Sequence, residues 1–208
     1  TWWDSVNPMP EIAGLRSVLP RILDLPVTAV PKDARERWSR LLSELPPVPM
    51  SGTGDDAVLA PAEKLGPKSN SENPELYAIF PYGLYGVGKD GLDLARRTFD
   101  RRDPRGTGGW RQDAVNAAML GLGDEAARMV VENFTNKHEG SRFPAFWGPN
   151  YDWIPDQDHG SVAVLALQRM LMQTEGRAIR LLPAWPEGWD ADFRLHAPYK
   201  TVVEGSVR

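Results

Sequence analysis

Between its helical segments this chain alternates short and long connections, and that alternation constrains the fold more than any single motif. Apolar residues recur at helical spacing in seven stretches. The first, 8–24, places Ile12, Leu15, Val18, Leu19, Ile22 and Leu23 on one face, with Pro20 expected to kink it. The second begins at Pro31, a residue suited to a helix start, and runs to Leu45 with Trp38, Leu41, Leu42 and Leu45 as its stripe. NPELYAIFPYGLYG reads as a third helix bent at Pro81, and GLDLARRTFDRR as a fourth. WRQDAVNAAMLGL, DEAARMVVENFTNKH and SVAVLALQRMLMQ complete the series. Short turns join helices one and two, three and four, and five and six, whereas the connections over about 46–73, 102–109 and 138–158 are long. In an up-and-down array every second connection lies at the same end, so the long loops would gather there. Loops longer than chain reversal needs usually carry function.

The helix faces alternate as well. The third, fifth and seventh segments are apolar or small on most sides, while the second, fourth and sixth are amphipathic. A helix apolar all round needs neighbours on both sides. The pattern predicts a mostly α fold: part of an (α/α)6 toroid of helical hairpins over 1–176. A superhelical repeat array is the alternative, but the hairpin spacings are unequal and show no clean period. After Gly176, FRLHAPYK and TVVEGSVR alternate apolar and polar as half-buried strands do, so 177–208 reads as the beginning of a small β region. Trp2 and Trp3 open the chain abruptly and VVEGSVR closes it in mid-strand, which reads as a piece of a longer polypeptide.

Composition narrows the partners. The chain has 208 residues, a net charge of −4 and no basic block, so it lacks the clustered cations that neutralise nucleic-acid phosphates. No apolar run approaches the roughly 18 residues of a membrane span. With no cysteine there is no disulfide, thiolate metal site or cysteine nucleophile. GVGKDG lacks the spacing of a phosphate-binding loop.

The candidates for chemistry sit in the long loops. FPAFWGPNYDWIPDQDHG, 143–160, crowds aromatic rings and acids without a lysine or arginine. Trp147, Tyr151 and Trp153, with Trp110 and Asp113 of GTGGWRQD, suit a carbohydrate site, where rings stack on sugar C–H faces and acids bond hydroxyls. Large aromatics are also ordinary core residues. Glu63 lies among Leu59, Ala60, Pro61, Ala62 and Leu65; burial of that segment would make it a proton donor, whereas a solvated Glu63 would pair with Lys64. Of Asp156 and Asp158, the latter is the better helix cap, leaving Asp156 to orient a water or an amide. His159 reads as a hydrogen-bonding residue. The Asp-x-Asp-His cluster is compatible with Ca2+, but the three histidines have no ligand spacing and no metal is expected. Paired acids at sugar-stacking rings match glycosidic cleavage, one protonating the leaving oxygen while the other side activates water, with Trp110, Asp113, Trp147, Tyr151, Trp153, Asp158 and His159 as candidate substrate contacts.

DQDHGSVAVLALQRMLMQTEGRAIRLLPAWPEGW resembles the end of the catalytic domain of glycoside hydrolase family 95, the α-L-fucosidase-like six-hairpin enzymes. PELYAIFPYGLYG and GGWRQDA are similar to further segments of that family, and the resemblance spans roughly 60–208. It implies an (α/α)6 barrel and inverting hydrolysis, with Glu63 at the position of the general acid and Asp156 at that of the aspartate assisting the water. The assisting asparagines would lie upstream of Thr1. SNSENPE and Asp158-His159 replace the family's His-rich and Asn-Phe segments, which implies a glycoside other than a fucoside. Export from a bacterial cell is likewise implied by the resemblance alone.

Other classes remain open. A non-catalytic carbohydrate-binding protein would bind sugar without turnover. A helical protein-interaction scaffold would use the aromatic loop as a hot spot. A phosphorylase would need a phosphate pocket, for which Arg105 and Arg111 are the candidates. The expected partner is an oligosaccharide or glycoside, with neither nucleic acid nor membrane.

Overall fold

The computed structural model describes residues 3–69, 71–108, 110–135 and 158–208, and of 158–160 the backbone alone. The architecture is α+β. Among the described residues, six α-helices accompany eight strands in four two-stranded antiparallel sheets. This corrects the toroid of helical hairpins expected from the loop alternation. The chain divides into two compact units, Thr1–Pro104 and Arg105–Arg208, and the passage from helix to strand, between Leu171 and Met172, falls inside the second.

In the first unit, β1 (Val6–Pro8) leads directly into α1 (Met9–Leu23), which runs through Pro20. Pro10 suits the start of α1 because an N-terminal amide has no partner inside the helix. A proline-containing turn joins it to α2 (Lys32–Glu44). Arginines fasten this pair by capping chain ends. Arg16 donates to the carbonyls of Leu45 and Pro46 at 3.2 and 2.7 Å, and Arg35 donates to those of Leu23 and Leu25.

The next segments overturn the hairpin arrangement. The long connection after α2 pairs up as β2 (Met50–Ser51) with β3 (Val58–Leu59), while β4 (Ala62–Lys64) pairs with β1. NPELYAIFPYGLYG forms only a 3-10 turn over Pro74–Ala78, followed by tight turns. Within it Gly83 takes φ 62°, a left-handed backbone that ends a regular helix, and Gly88 and Gly91 in the turn that follows take 77° and 74°. Without a third helix the count of alternating directions fails, and with it the inference that the long loops share one end. The next helix, α3 (Leu92–Arg101), grips the strands instead. Thr98 Oγ1 accepts from Leu59 N at 2.9 Å and donates to Leu94 O at 2.8 Å, and Arg97 donates to Ala57 O at 3.2 Å. Met9, Ala13, Leu59 and Ala78 form the buried centre, with Tyr82 and Tyr85 packed against it.

Gly66 marks a close approach. A Cβ there would lie 1.7 Å from the Trp3 carbonyl oxygen, and Trp3 N donates to Pro67 O at 3.0 Å. Gly66→Ala is therefore expected to displace the segment carrying Trp3 and Asp4 and to cost about 1–3 kcal/mol. Chemical unfolding with limited proteolysis near residue 5 checks this; an unchanged midpoint and cleavage pattern would refute the contact.

The second unit contains α4 (Asp113–Met119), α5 (Gly123–Thr135) and α6 (Asp158–Leu171), which pack against one another. Val115, Leu120, Met129, Met170 and the polar Asn133 are the largest fully enclosed side chains among its described residues. Gly121, at φ 70°, turns the chain between α4 and α5. The sequence pattern expects α6 to be covered on every face, but Val164 is 45% exposed. Then β5 (Met172–Glu175) pairs with β6 (Ala178–Leu181). The buried Gln173 amide closes this corner, donating to Ala118 O at 2.7 Å and Arg169 O at 3.0 Å. Finally β7 (Ala191–Ala197) pairs with β8 (Thr201–Val207). Half-buried Phe193 and Leu195 alternate with exposed Asp192, Arg194 and His196, the alternation expected of this segment.

Candidate functional site

The first unit holds a cleft of about 470 Å³. Its position follows from where prolines start and stop elements. Pro8 ends β1, Pro10 opens α1, Pro61 precedes β4 and Pro74 opens the 3-10 turn; all four line the cleft. A hydrogen bond of 2.8 Å from Met9 N to Pro61 O closes the wall. Tyr77, on the 3-10 turn, adds its ring.

Three carboxylates enter this apolar frame. Pro74 is buried at the bottom, Glu72 and Tyr77 are half-buried, and Asp4 and Glu11 stand exposed at the rim. Asp4 adopts φ 52°, a left-handed conformation that a short polar side chain tolerates. Ser5 also lines the cleft, and its enclosed Oγ has no hydrogen-bond partner. Burial pushes the Tyr77 phenol above its ordinary 10.0, and the charges of Glu72, Tyr82 and Glu11 push it further. A smaller hollow of about 220 Å³ shares Pro61, Glu72 and Pro74 but has mixed charge, with Lys68 and Arg101 beside Glu75 and Asp103.

The Tyr77 environment gives a measurable consequence. Alkaline absorbance titration is expected to show a tyrosine ionising above 10.0, brought down by either Glu72→Gln or Glu11→Gln. Because the folded-state value is raised, this group's contribution to stability is intact below the unfolded value. It is lost as pH rises through the folded one. A Tyr77 signal indifferent to both substitutions would refute the arrangement.

Glu63 sits on β4, next to this wall but outside the cleft lining. Ala62 is buried and Glu63 exposed, as strand alternation requires, so the burial envisaged for it does not arise. Its Oε2 instead accepts from Asn7 Nδ2 at 2.6 Å, across the β1–β4 pair. Asn7 is also left-handed, at φ 50°. Asp56, also in this unit, pairs with Arg101 at 2.9 Å.

In the second unit, Asp113 is the first residue of α4 and is 4% exposed. Its Oδ2 accepts from Gly106 N at 3.3 Å, which ties the GTGG loop to the helix start. Trp110 in that loop is half-buried. One turn along, buried Asn116 donates to Gln112 O at 3.1 Å while its Oδ1 has no hydrogen-bond partner. Asp158 and His159 are the first two residues of α6. Trp147, Tyr151, Trp153 and Asp156 lie outside the described residues. So do all but the Asp158 and His159 backbone of the Asp-x-Asp-His cluster considered for Ca2+. Among the described residues no three His, Asp or Glu side chains converge as a metal site, and no helix is long and apolar enough to cross a membrane.

The predicted residues that are described thus divide between the units: Glu63 belongs to the first, and Trp110 and Asp113 to the second. The cleft is built from Asp4, Glu11, Glu72 and Tyr77, which the sequence reading did not single out. The available signal was acid beside proline, as in PMPE and ENPE. No protein-family model and no curated protein matches the chain.

Proposed function

We propose that this protein is a carbohydrate-active hydrolase that cleaves a glycosidic bond by inverting acid–base catalysis. The observation that supports it is the cleft of the first unit. Its volume lies in the range of small-molecule sites, and its proline and tyrosine rings offer apolar faces to sugar C–H groups while carboxylates accept from hydroxyls. Glu63, on the strand pair that supplies Pro8 and Pro61 to the wall, is the proton donor. Its Oε2 accepts from Asn7 Nδ2, which leaves Oε1 to deliver a proton to the glycosidic oxygen as the anomeric C–O bond breaks. A water forms the new C–O bond from the opposite side and loses its proton to a second carboxylate.

The exposure of Glu63 favours a second reading, a protein that binds saccharides without turning them over. A panel of aryl glycosides and oligosaccharides, followed by product release and by equilibrium binding, separates the two. Product with inverted anomeric configuration supports the hydrolase. Binding without product supports the second reading, and neither binding nor product rejects both.

A further inference from the structure

We propose that the cleft of the first unit is a subsite for an amino sugar carrying a free, protonated amine, held by the Glu72, Glu11 and Asp4 carboxylates over the Tyr77 ring. This deepens the carbohydrate reading and rests on it. The argument is one of hydrogen-bond chemistry.

The lining is rich in acceptors and poor in donors. Four of its positions are proline, which has no backbone N–H to offer. Three more present carboxylates, which accept only when ionised. Among the described lining residues, the side-chain donors are the hydroxyls of Ser5 and Tyr77. A neutral pyranose brings hydroxyls that both donate and accept. An N-acetylated one adds a carbonyl acceptor, for which this lining has little to give. An ammonium group brings three donors and no acceptor, and so complements it.

Charge points the same way. No lysine or arginine is among the described lining residues of this cleft. The cations nearby, Lys68 and Arg101, line the smaller hollow, which shares Pro61, Glu72 and Pro74 with this cleft. Glu72 has further interactions within the fold, whereas Glu11 and Asp4 stand at the rim in solvent. The Tyr77 phenol is pushed up first by burial and then by the charge of Glu72, with smaller contributions from Tyr82 and Glu11, in keeping with a negative cleft. A cation over the tyrosine face gains a further attraction. The enclosed Ser5 hydroxyl, without a partner in the fold, is a wall group with unused bonding capacity.

The test is titration calorimetry with three β-1,4-linked tetrasaccharides: glucosamine, its N-acetylated counterpart and glucose. The pH is kept below the amine pKa. The glucosamine tetrasaccharide is expected to bind tightest, by about tenfold or more, as a charge-assisted hydrogen bond implies. Its affinity should fall with added salt. Glu72→Gln should remove most of the preference. Glu11→Gln, at an exposed rim position, should weaken the preference without disturbing the fold, as circular dichroism would verify. Equal binding of the three saccharides overturns the amine inference and leaves the carbohydrate reading standing. Spermidine bound as tightly as the amino sugar, or a failure of all three saccharides to bind, overturns the amino-sugar inference, while the carbohydrate reading is decided by the glycoside panel.

Discussion

Glu63→Gln is expected to reduce turnover by about 10²–10⁴-fold, the usual contribution of a positioned general acid. The substitution keeps the side chain's shape and an oxygen able to accept from Asn7 Nδ2, which now bonds Glu63 at 2.6 Å. Folding and saccharide binding should therefore persist, and the loss should appear in kcat with KM little changed. An aryl glycoside whose phenolate departs without protonation should be far less affected than an alkyl-linked oligosaccharide. Comparing the two leaving groups on the wild type and the variant makes this visible. A loss equal for both would assign Glu63 a different role. Unaltered turnover would remove it from the chemistry and move attention to Glu72 in the cleft.

Leu120→Ala is expected to destabilise the second unit by about 2–5 kcal/mol. Leu120 is 0% exposed at the C-terminal end of α4, where its amide donates to Asn116 O at 3.0 Å. The helix ends there and Gly121 reverses the chain, so the backbone cannot readily close over a vacated volume. Met129 and Met170 are enclosed in the same unit. They are pliable side chains, and partial filling by them would bring the loss towards the lower bound. A domain has only about 5–15 kcal/mol to lose, so the midpoint of chemical unfolding should fall sharply. A change below about 1 kcal/mol would mean that the corner repacks freely, contrary to the tight packing of protein interiors.

The parts of the fold that could be read from sequence are those governed by local rules. α1 and α2 fall where the apolar stripes and Pro31 place them, and the β7–β8 pairing falls where residues alternate. The third helical segment was misread because helical periodicity outweighed its glycines, whose positive φ values end any helix. The strands β1 to β4 are two or three residues long, too short for a period of two to show. The cleft was hidden for another reason. Glu11 sits in the first turn of α1, where an acid is an ordinary dipole partner, and Glu72 lies in the polar stretch just before the 3-10 turn. Only the pairing of β1 with β4 brings Pro8 and Pro61 to one wall and sets the residues around it into a common space.

That wall also bears on the thermodynamics of binding. A proline ring has a fixed φ and almost no rotamer freedom, so a surface made of Pro8, Pro10, Pro61 and Pro74 has little entropy to surrender when a ligand settles on it. Most interfaces lose part of their contact energy to the immobilisation of long side chains. Here that loss falls chiefly on Glu11, Glu72 and Tyr77. The cleft is in effect a stiff mould with a few movable hooks, and discrimination between ligands rests on the hooks while the mould sets the shape that can enter.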